Sequence, residues 1–285
     1  MENNILDTIT QIKDVLPKKQ RTLCNFIVLN YVEAGMTVAE LAERSGVGAT
    51  TVMRLVKTLH YDSYSDFRRA LLNVSLKNNA SSYIGIKNSF QKASSNSDSD
   101  ILHALWYDTT HTVENFITPK NIEQLDKAIT LMMEASRINL LGLRSSRTVS
   151  LYLESAIDRF YPHVRQLSNE SEFLYDKIFR LSAEEDIIII FSAWPCTKRT
   201  IDVSAICRDR HVPIILVTNT SLNPIARYAD IVIDTNSVNS GCGILPLMFI
   251  AEALTAELAR RLGPDSMKIL EELESELDKA DVFMR

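Results

Sequence analysis

The first 77 residues carry their apolar side chains at the three- and four-residue spacings of amphipathic helices. Leu23, Phe26 and Ile27 follow this spacing after Pro17, a residue type that favours the first turn of a helix. No run of β-branched residues bounded by turn residues interrupts the segment. The pattern therefore predicts an all-helical (all-α) domain over residues 1–77.

After residue 136 the pattern changes to short apolar runs separated by amphipathic or loop segments. Strands that alternate with helices form parallel sheets, so five such runs predict a five-stranded parallel sheet. The runs 187–191 and 214–217 are apolar almost without interruption, which is typical of strands covered on both faces. The expected fold class of this part is therefore a doubly wound α/β domain. The five runs are INLLGL, VRQLS, DIIIIFS, PIILVTN and DIVIDT.

A stretch rich in serine and asparagine, residues 78–100, separates the two patterns and contains few large apolar residues. Such a composition is typical of a linker. Helical segments over 101–135 then precede the first strand and are expected to cover the sheet. The predicted organisation is a helical domain over 1–77, a linker over 78–100 and an α/β domain over 101–285.

The composition excludes several classes of protein. With 285 residues, of which 46% are hydrophobic and 24% charged, the chain is typical of a globular protein with two domains. No apolar run approaches the roughly 18 residues of a membrane span, and the first residues lack a signal-peptide pattern, so we expect a cytoplasmic protein without a membrane partner. The cysteines lack zinc-ligand spacing, so neither a metal nor another cofactor is expected. They are Cys24, Cys196, Cys207 and Cys242.

Residues 36–67 have the layout of a helix-turn-helix, which consists of a short helix, a tight turn and a second helix. Thr37 followed by Glu40 predicts a capping box at the start of the first helix. Gly46 can supply the positive φ that the turn requires. The buried stripe expected in the second helix consists of Val52, Leu55, Val56 and Leu59.

The other faces of the second helix are available for DNA. A recognition helix places its N-terminal residues against base edges in the major groove, so residues 49–51 are expected to contact bases, and Arg54 can reach guanine or phosphate. Lys57, Arg68 and Arg69 are expected to bind phosphates and so to fix the register. The complete candidate set is Thr37, Gly48, Ala49, Thr50, Thr51, Met53, Arg54, Lys57, Arg68 and Arg69.

Charge and spacing by themselves leave an alternative open. Residues 1–80 carry 10 Lys and Arg against 8 Asp and Glu, a balance of +2, whereas residues 81–285 carry 21 against 28, a balance of −7. This asymmetry permits a local DNA-binding patch, but differences of this size also arise by chance. Any helical hairpin with a glycine turn has the same spacing, and Lys57 would then be an ordinary solvated charge.

The helix-turn-helix segment resembles the N-terminal domain of RpiR-type regulators, which respond to phosphosugars. Residues 60–67, with the sequence HYDSYSDF, are similar to the family's G-F-x-G-Y/S-x-x-F stretch after the second helix. The family often has glycine where this chain has His60, a departure that concerns the helix end and none of the proposed DNA contacts. The resemblance covers most of residues 1–77 and implies DNA binding.

The second part of the chain resembles the sugar isomerase (SIS) domain, whose family places G-x-G-x-S after strand one and S-x-S-G-x-T after strand three. Residues 142–146, GLRSS, and residues 192–197, SAWPCT, stand at these places. Arg144 replaces the usual second glycine and Trp194-Pro195 replace the usual Ser-Gly, so a smaller or differently shaped pocket is expected. The chain looks like a branch of these regulators with G-x-R-S-S at the first motif.

A third stretch extends the same resemblance. Residues 218–226, TNTSLNPIA, are close to the family's T-x-S-x-x-S-P-L-A after strand four. The resemblance then covers about residues 120–265. It implies a sheet with flavodoxin-like strand order and a bound phosphosugar.

The first two SIS-like motifs lie at the carboxyl ends of strands, where an open α/β sheet forms its ligand crevice. Helix-start N–H groups and hydroxyls can converge there on a phosphate, and Arg144 can add a bidentate cation. The alternative is that Ser145, Ser146 and Thr197 only cap helices. The candidate effector-binding residues are Arg144, Ser145, Ser146, Ser192, Trp194, Thr197, Thr218 and Asn219.

Together these features predict a transcriptional regulator of a carbohydrate-related operon that is not an enzyme. It is expected to bind a double-stranded DNA operator as a homodimer or homotetramer and to respond to a phosphorylated sugar or a similar anionic metabolite. One alternative is a SIS-type isomerase with Glu170 or Glu172 as base, although His163 and His211 precede strands and so lie at the opposite edge. The other alternative is a dimerisation module with a vestigial crevice.

Overall fold

The structure is a computed structural model that describes residues 5–30, 36–78, 101–170, 172–237 and 243–284. The chain forms two compact units, residues 1–84 and 85–285, which are described separately. The boundary between the units lies inside the predicted linker. Residues 79–100 of that linker lie outside the described residues, so the division at residues 77 and 101 stays a prediction.

The N-terminal unit is helical throughout its described part, as the spacing of apolar residues predicts. Its helices are α1 (Ile5–Ile12), α2 (Lys18–Asn30), α3 (Val38–Ser45), α4 (Ala49–Thr58) and α5 (Tyr64–Asn78), with a 3-10 turn at Lys13–Val15. Helix α1 packs against α2 and α5, and α4 packs against α2, α3 and α5. Leu23, Leu55 and Phe67 are fully buried and form the centre of this small core.

The C-terminal unit is built on a parallel sheet of five strands. The strands are β1 (Arg137–Gly142), β2 (Val164–Gln166), β3 (Asp186–Ser192), β4 (Ile214–Thr218) and β5 (Ile231–Asp234). Their order in the sheet is β2-β1-β3-β4-β5, and every neighbouring pair is parallel. This confirms the predicted α/β sheet and its flavodoxin-like order.

Helices precede, connect and follow these strands. They are α6 (Ile101–Phe116), α7 (Pro119–Glu134), α8 (Ser146–Ile157), α9 (Leu174–Ile178), α10 (Lys198–Asp209), α11 (Leu245–Leu262) and α12 (Pro264–Lys279), with a 3-10 turn at Pro224–Arg227. Thr118 caps α7 by accepting a hydrogen bond from the amide of Asn121, and Pro119 occupies the first helical position.

Helices cover both faces of the sheet, which confirms the doubly wound class. Ile187 and Ile189 of β3 belong to a core with side chains of α7, α8 and α11. Ile188 and Ile190 belong to a second core with side chains of α9 and α10. Successive residues of a strand face opposite sides of the sheet, so a strand buried on both faces needs apolar residues at every position. This is why residues 187–191 form an unbroken apolar run.

A buried carboxylate joins β1 and β3 at the amino edge of the sheet. Asp186 accepts hydrogen bonds from Nε of Arg137 (2.9 Å), from Nδ2 of Asn139 (3.0 Å) and from the amide of Ser182 (2.8 Å). Burial raises the pKa of this carboxyl, but these hydrogen bonds, a second one from Nη2 of Arg137 (2.9 Å) and the charge of Arg137 outweigh burial and lower the pKa from 3.8 to about 2. Asp186 therefore stays ionised in the folded protein into strongly acidic solution.

We expect the C-terminal unit to lose stability in acid because of this group. Its pKa is lower in the folded chain than in the unfolded chain, so its stabilisation is complete above the ordinary value of 3.8 and is lost as the pH falls towards 2. The loss is about 2 kcal/mol of unfolding free energy. Urea unfolding across this pH range should show the loss in the natural chain and in Asp158→Asn, which changes an exposed residue. The loss should be smaller by this amount in Asp186→Asn, in which Glu257, also lowered to a pKa of about 2, still titrates. An equal loss in all three chains would contradict the assignment.

The cysteines that the structure describes are packed thiols. Cys24 and Cys207 are buried and Cys196 is half-buried, whereas Cys242 lies outside the described residues. Burial raises the pKa of Cys24 to about 11 and that of Cys207 to about 12, so both stay protonated at neutral pH. Among the described residues, no group of three or more His, Cys, Asp or Glu side chains is arranged to hold a metal ion. None of the described helices is long and apolar enough to cross a membrane.

Candidate functional site

The helix-turn-helix consists of α3 and α4. The Thr37 hydroxyl accepts a hydrogen bond from the Glu40 amide (3.2 Å), and the Thr37 amide donates to a Glu40 carboxylate oxygen (2.6 Å). Gly46 ends α3 with a φ of 68°, and the Val47 amide then donates to the Ala42 carbonyl (3.0 Å). The predicted capping box and glycine turn are both confirmed. They fix the direction in which α4 leaves α3.

Helix α4 buries one side and exposes another. The predicted stripe of Val52, Leu55, Val56 and Leu59 is buried. Ala49 and Thr50 are exposed at the first turn, and Arg54 and Lys57 are exposed on the turns that follow, whereas Thr51 and Met53 are half-buried. Gly48 is the N-cap residue, and the first turn of α4 contains no acidic residue. The positive end of this helix therefore keeps its attraction for phosphate.

Helix α5 holds its basic residues at a fixed place beside the helix-turn-helix. The Tyr64 hydroxyl donates to the Met36 carbonyl (2.9 Å) and so joins the start of α5 to the start of α3. Burial raises the pKa of Tyr64 to about 12, which keeps the hydroxyl a neutral donor. Arg68 is half-buried, and Arg69 is exposed and forms an ion pair with Asp66.

His60 ends α4 in a left-handed conformation, with a φ of 61°. The next amide, that of Tyr61, donates to the Val56 carbonyl (3.1 Å), which is the hydrogen bond of a Schellman ending. Glycine adopts this conformation without steric cost. This left-handed conformation explains why RpiR-type regulators often have glycine where this chain has His60.

The crevice of the second unit opens where the chain leaves β1 and β3. These strands are neighbours in the sheet, but β1 leads to α8 on one face and β3 leads to α10 on the other. A reversal of this kind is the switch point at which open α/β sheets bind ligands. Both predicted motifs, residues 142–146 and 192–197, lie at this point.

Gly142 allows α8 to begin directly against the end of β1. Its amide donates to Oγ of Ser168 (2.8 Å). A Cβ on Gly142 would lie 2.3 Å from the carbonyl oxygen of Ser146 and 2.7 Å from its carbonyl carbon, and both are backbone atoms. Only glycine permits this approach. It places the first turn of α8 at the crevice.

Arg144 and Ser145 lie at the mouth of the crevice and are exposed. Arg144 has a φ of 56°, a conformation that costs a residue with a side chain about 1 kcal/mol. Ser145 makes no side-chain hydrogen bond to the start of α8, so the capping role considered for it is absent. Ser146 is buried, and its Oγ accepts a hydrogen bond from the Ala193 amide (3.2 Å). This bond joins the two predicted motifs.

The second motif is held from β4. The Trp194 amide donates to Oδ1 of Asn219 (2.7 Å), and the peptide bond between Trp194 and Pro195 is cis. The Thr218 hydroxyl donates to the Ser192 carbonyl (2.8 Å). Ser192, Thr218 and Asn219 are all buried. These three candidate residues therefore contact the loop itself and fix the wall of the crevice.

Thr197 begins α10 and does cap it. Its hydroxyl accepts a hydrogen bond from the Thr200 amide (3.2 Å) and lies 2.8 Å from the Thr200 hydroxyl. The capping role considered for Thr197 is therefore present, whereas the hydroxyl of Ser146 bridges two loops. Thr197 is half-buried and borders the crevice together with Trp194.

Cations are concentrated at the helix starts of the crevice. The first turns of α8 and α10 contain no acidic residue, although acidic residues are favoured there by the helix dipole. Arg147 occupies the first turn of α8, and Lys198 and Arg199 begin α10. This arrangement is unfavourable for the helices alone, and a bound anion would offset it.

Two family models match the chain. "Helix-turn-helix domain, rpiR family" matches residues 3–78, and "SIS domain" matches residues 131–257. The chain belongs to the RpiR family of helix-turn-helix regulators. Its RpiR-type helix-turn-helix contains α3 and α4, and its SIS domain contains the crevice between β1 and β3.

Relatives match one or both parts of this RpiR-family chain. An HTH-type transcriptional regulator of Clostridium perfringens is 20% identical over 93% of this chain and 95% of its own length. The sugar isomerase domain of an RpiR transcription factor from Sphaerobacter thermophilus superposes with a TM-score of 0.56 at 20% identity, over 62% of this chain and 99% of that domain. The Vibrio vulnificus NanR protein complexed with ManNAc-6P superposes with a TM-score of 0.57 at 18% identity, over 97% of this chain and 99% of NanR. The superpositions establish the fold.

Sequence reasoning missed the side chains that hold the two motifs of this RpiR-family chain in place. Oγ of Ser168 accepts a hydrogen bond from the Gly142 amide and lies 2.7 Å from Oγ of Ser150. Asn223 donates from Nδ2 to the Ser192 carbonyl (2.9 Å) and accepts the Ile225 amide (3.1 Å). The signal that pointed to a turn at this place was the Asn-Pro dipeptide at 223–224. Ser150 and Ser168 carry no local sequence signature, because the groups that they contact are distant in sequence.

Proposed function

We propose that this RpiR-family regulator binds operator DNA through α4, and that an anionic metabolite bound at the crevice between β1 and β3 controls this binding. The observation that carries the proposal is the cationic mouth of the crevice. Arg144 stands there in a strained backbone conformation, between helix starts that carry cations and no acids. Residues held in strained conformations cluster at ligand sites.

The proposed effector is a phosphorylated sugar or sugar acid. The NanR relative is complexed with ManNAc-6P, which supports a phosphosugar. The eight candidate residues take three roles in the proposal. Arg144 and Ser145 bind the anion, and Trp194 and Thr197 border it. The buried residues that hold the loops in shape are Ser146, Ser192, Thr218 and Asn219.

The proposed DNA contacts follow the exposure of α4 and α5. Ala49, Thr50 and Thr51 meet base edges, and Arg54 contacts guanine or a phosphate next to it. Gly48 keeps the helix start close to the DNA backbone because it has no side chain. The residues assigned to phosphates or to the rim of the contact are Thr37, Met53, Lys57, Arg68 and Arg69. We expect the operator to lie near genes of carbohydrate metabolism and the protein to act in the cytoplasm.

The proposal assigns no catalytic residue. His163 and His211 precede β2 and β4 and so lie at the edge of the sheet opposite the crevice. Glu170 approaches Lys177 at 3.9 Å. Asp234, at the end of β5, accepts the amides of Ser221 (2.6 Å) and Asn236 (2.7 Å), so its oxygens serve the loop. An isomerase would need a base and an acid in the crevice.

Control of DNA binding requires two chains and two states. A helix-turn-helix dimer reads two half-sites about one turn of DNA apart, so we propose a homodimer or a homotetramer. The effector changes the affinity for DNA only if it binds the two arrangements of the DNA-binding units unequally. We propose that residues 78–100, which connect the two domains, transmit the effect of the bound effector to the DNA-binding units.

Arg144→Gly tests the crevice directly. We expect this change to weaken effector binding by about 10- to 100-fold, because a charge-assisted hydrogen bond contributes roughly 1.5–3 kcal/mol. We also expect the unfolding free energy to stay equal or to rise by up to about 1 kcal/mol, because glycine adopts the left-handed conformation without steric cost. Calorimetric titration with a panel of sugar phosphates and phosphorylated sugar acids, beside urea unfolding, measures both effects.

Arg144→Lys is the matched control for the charge. It keeps a cation but loses the planar fork, so its affinity should lie between that of the natural chain and that of Arg144→Gly. Unchanged affinity in Arg144→Gly would remove Arg144 from the effector site. Weak binding together with lower stability would indicate a structural role instead.

A further inference from the structure

Helix α6 has one apolar stripe, and only half of it is covered by the described part of the chain. In its C-terminal half, Phe116 is buried and Val113 packs against the main core of the sheet. The ring of Phe116 meets the ring of Phe249 of α11 edge to face, with a centroid distance of 5.5 Å. These contacts fix the C-terminal half of α6 on the SIS domain.

The N-terminal half of α6 continues the stripe into solvent. Residues 102, 105 and 106 stand three and four positions apart and lie on the same face as residues 113 and 116. Leu102 is 73% exposed, Leu105 39% and Trp106 65%. Helices on a protein surface normally turn polar residues outward. Here the face that the C-terminal half buries is exposed in the N-terminal half, and it includes one of the two tryptophans of the chain.

The size and charge of this patch fit a protein interface. The exposed parts of its three large side chains come to roughly 400 Å², within the range of about 300–600 Å² for the largest patch on a typical monomer, which is often functional. A stable interface takes about 800 Å² from each partner, so the patch would supply about half of one. Residues 101–113 contain one formally charged residue, Asp108. Two such patches would meet without strong repulsion between like charges.

We propose that the N-terminal half of α6 is the surface on which two copies of this chain pair, with each α6 packed against the α6 of the other copy about a two-fold axis. The inference rests on the proposed function, because a regulator that reads two half-sites needs two DNA-binding units held together. Helix α6 begins at residue 101 and is the first helix of the described part of the C-terminal unit.

A single-tryptophan form of the chain reports on the pairing. Tryptophan occurs twice, as Trp106 and Trp194, so Trp194→Phe leaves Trp106 as the only indole. In the full-length dimer, identified by sedimentation velocity, we expect blue-shifted emission and several-fold weaker acrylamide quenching than in the monomer obtained by dilution. A dimer whose Trp106 is as accessible as in the monomer would overturn the inference, and so would a chain that binds its operator as a monomer.

Substitution of the same residue tests the energetics. Trp106→Glu should raise the dissociation constant of the dimer by about 100-fold, because a central tryptophan is a typical hot spot and the glutamate would lose its hydration there. Leu105→Glu, a second variant, should act in the same direction. Phe173→Glu is the matched control, since Phe173 is 63% exposed on another part of the SIS domain and should leave the dimer unchanged.

DNA binding separates this inference from the proposed function. With operator DNA selected by the natural chain, Trp106→Glu should lose affinity for a two-half-site operator and keep its weaker affinity for a single half-site. Its circular dichroism and its effector titration should match those of the natural chain. A dimer that Trp106→Glu and Leu105→Glu both leave intact would reject the surface but not the regulator. Absence of operator binding by the natural chain would instead reject the proposed function.

Discussion

Replacing Gly142 with alanine is expected to destabilise the SIS domain by about 3 kcal/mol or more and to abolish the response to effector. The new Cβ would stand 2.3 Å from the Ser146 carbonyl oxygen, and a backbone atom at the start of a helix has no rotamer by which to move away. Relief therefore requires α8 to shift away from β1. Such a shift would displace the Arg144 turn and weaken the hydrogen bond from the Gly142 amide to Ser168.

Urea unfolding of the full-length chain and calorimetric titration of the effector measure the two parts of this prediction. Gly48→Ala is the control for the substitution itself. A Cβ on Gly48 would meet no atom within 4 Å, and its φ of −81° suits any residue. We expect Gly48→Ala to change stability by less than about 1 kcal/mol. Equal stabilities for Gly142→Ala and the natural chain would show that α8 can start elsewhere without cost.

The second large effect is expected on DNA affinity when Arg54 is replaced by alanine. Arg54 is exposed on α4, on the turn after the residues proposed to meet base edges. A bidentate arginine contact to a base contributes roughly 1–3 kcal/mol, so operator affinity should fall by about 10- to 100-fold and discrimination among sequences should fall with it. Fluorescence anisotropy with the selected operator and with scrambled DNA measures both.

Two other cations distinguish base contacts from general electrostatics. Lys57→Ala should weaken binding to all sequences alike and should reduce the slope of log affinity against log salt by about 1, as expected for one lost phosphate contact. Lys127→Ala removes an exposed cation of the SIS domain that pairs with Glu123, and it should leave DNA affinity unchanged. If Arg54→Ala behaves like Lys57→Ala, Arg54 contacts phosphate and the bases are read by residues 49–51.

The pattern of apolar residues was sufficient to predict the sheet. Residues 187–191 have to be apolar at every position because α7, α8 and α11 cover one face and α9 and α10 the other, and this requirement is visible in the sequence. The helix-turn-helix was equally predictable, because Thr37, Glu40 and Gly46 act on neighbours within six residues. Local chemistry of this kind leaves a local signature.

The crevice was predictable only in outline. Its position follows from the carboxyl ends of β1 and β3, but whether a hydroxyl binds a ligand, caps a helix or joins two loops depends on tertiary contacts. Ser146 and Thr197 look alike in sequence, yet one bridges to the Ala193 amide and the other caps α10. The support from Ser168 and Asn223 arises in the same way, from partners 26 and 31 residues away. The left-handed backbone of Arg144 is indicated in the sequence only because the SIS family usually has glycine at this position.

The central claim is that one chain binds a specific DNA site and that an anionic metabolite in its SIS domain alters this binding. The most direct measurement is selection of genomic DNA fragments by the purified full-length chain, followed by anisotropy on the selected site with and without each member of a panel of sugar phosphates. We predict a palindromic site whose affinity changes with one class of sugar phosphate in the natural chain and no longer changes in Arg144→Gly. Absence of selective DNA binding at low salt, or binding that no anionic metabolite alters, would contradict the claim.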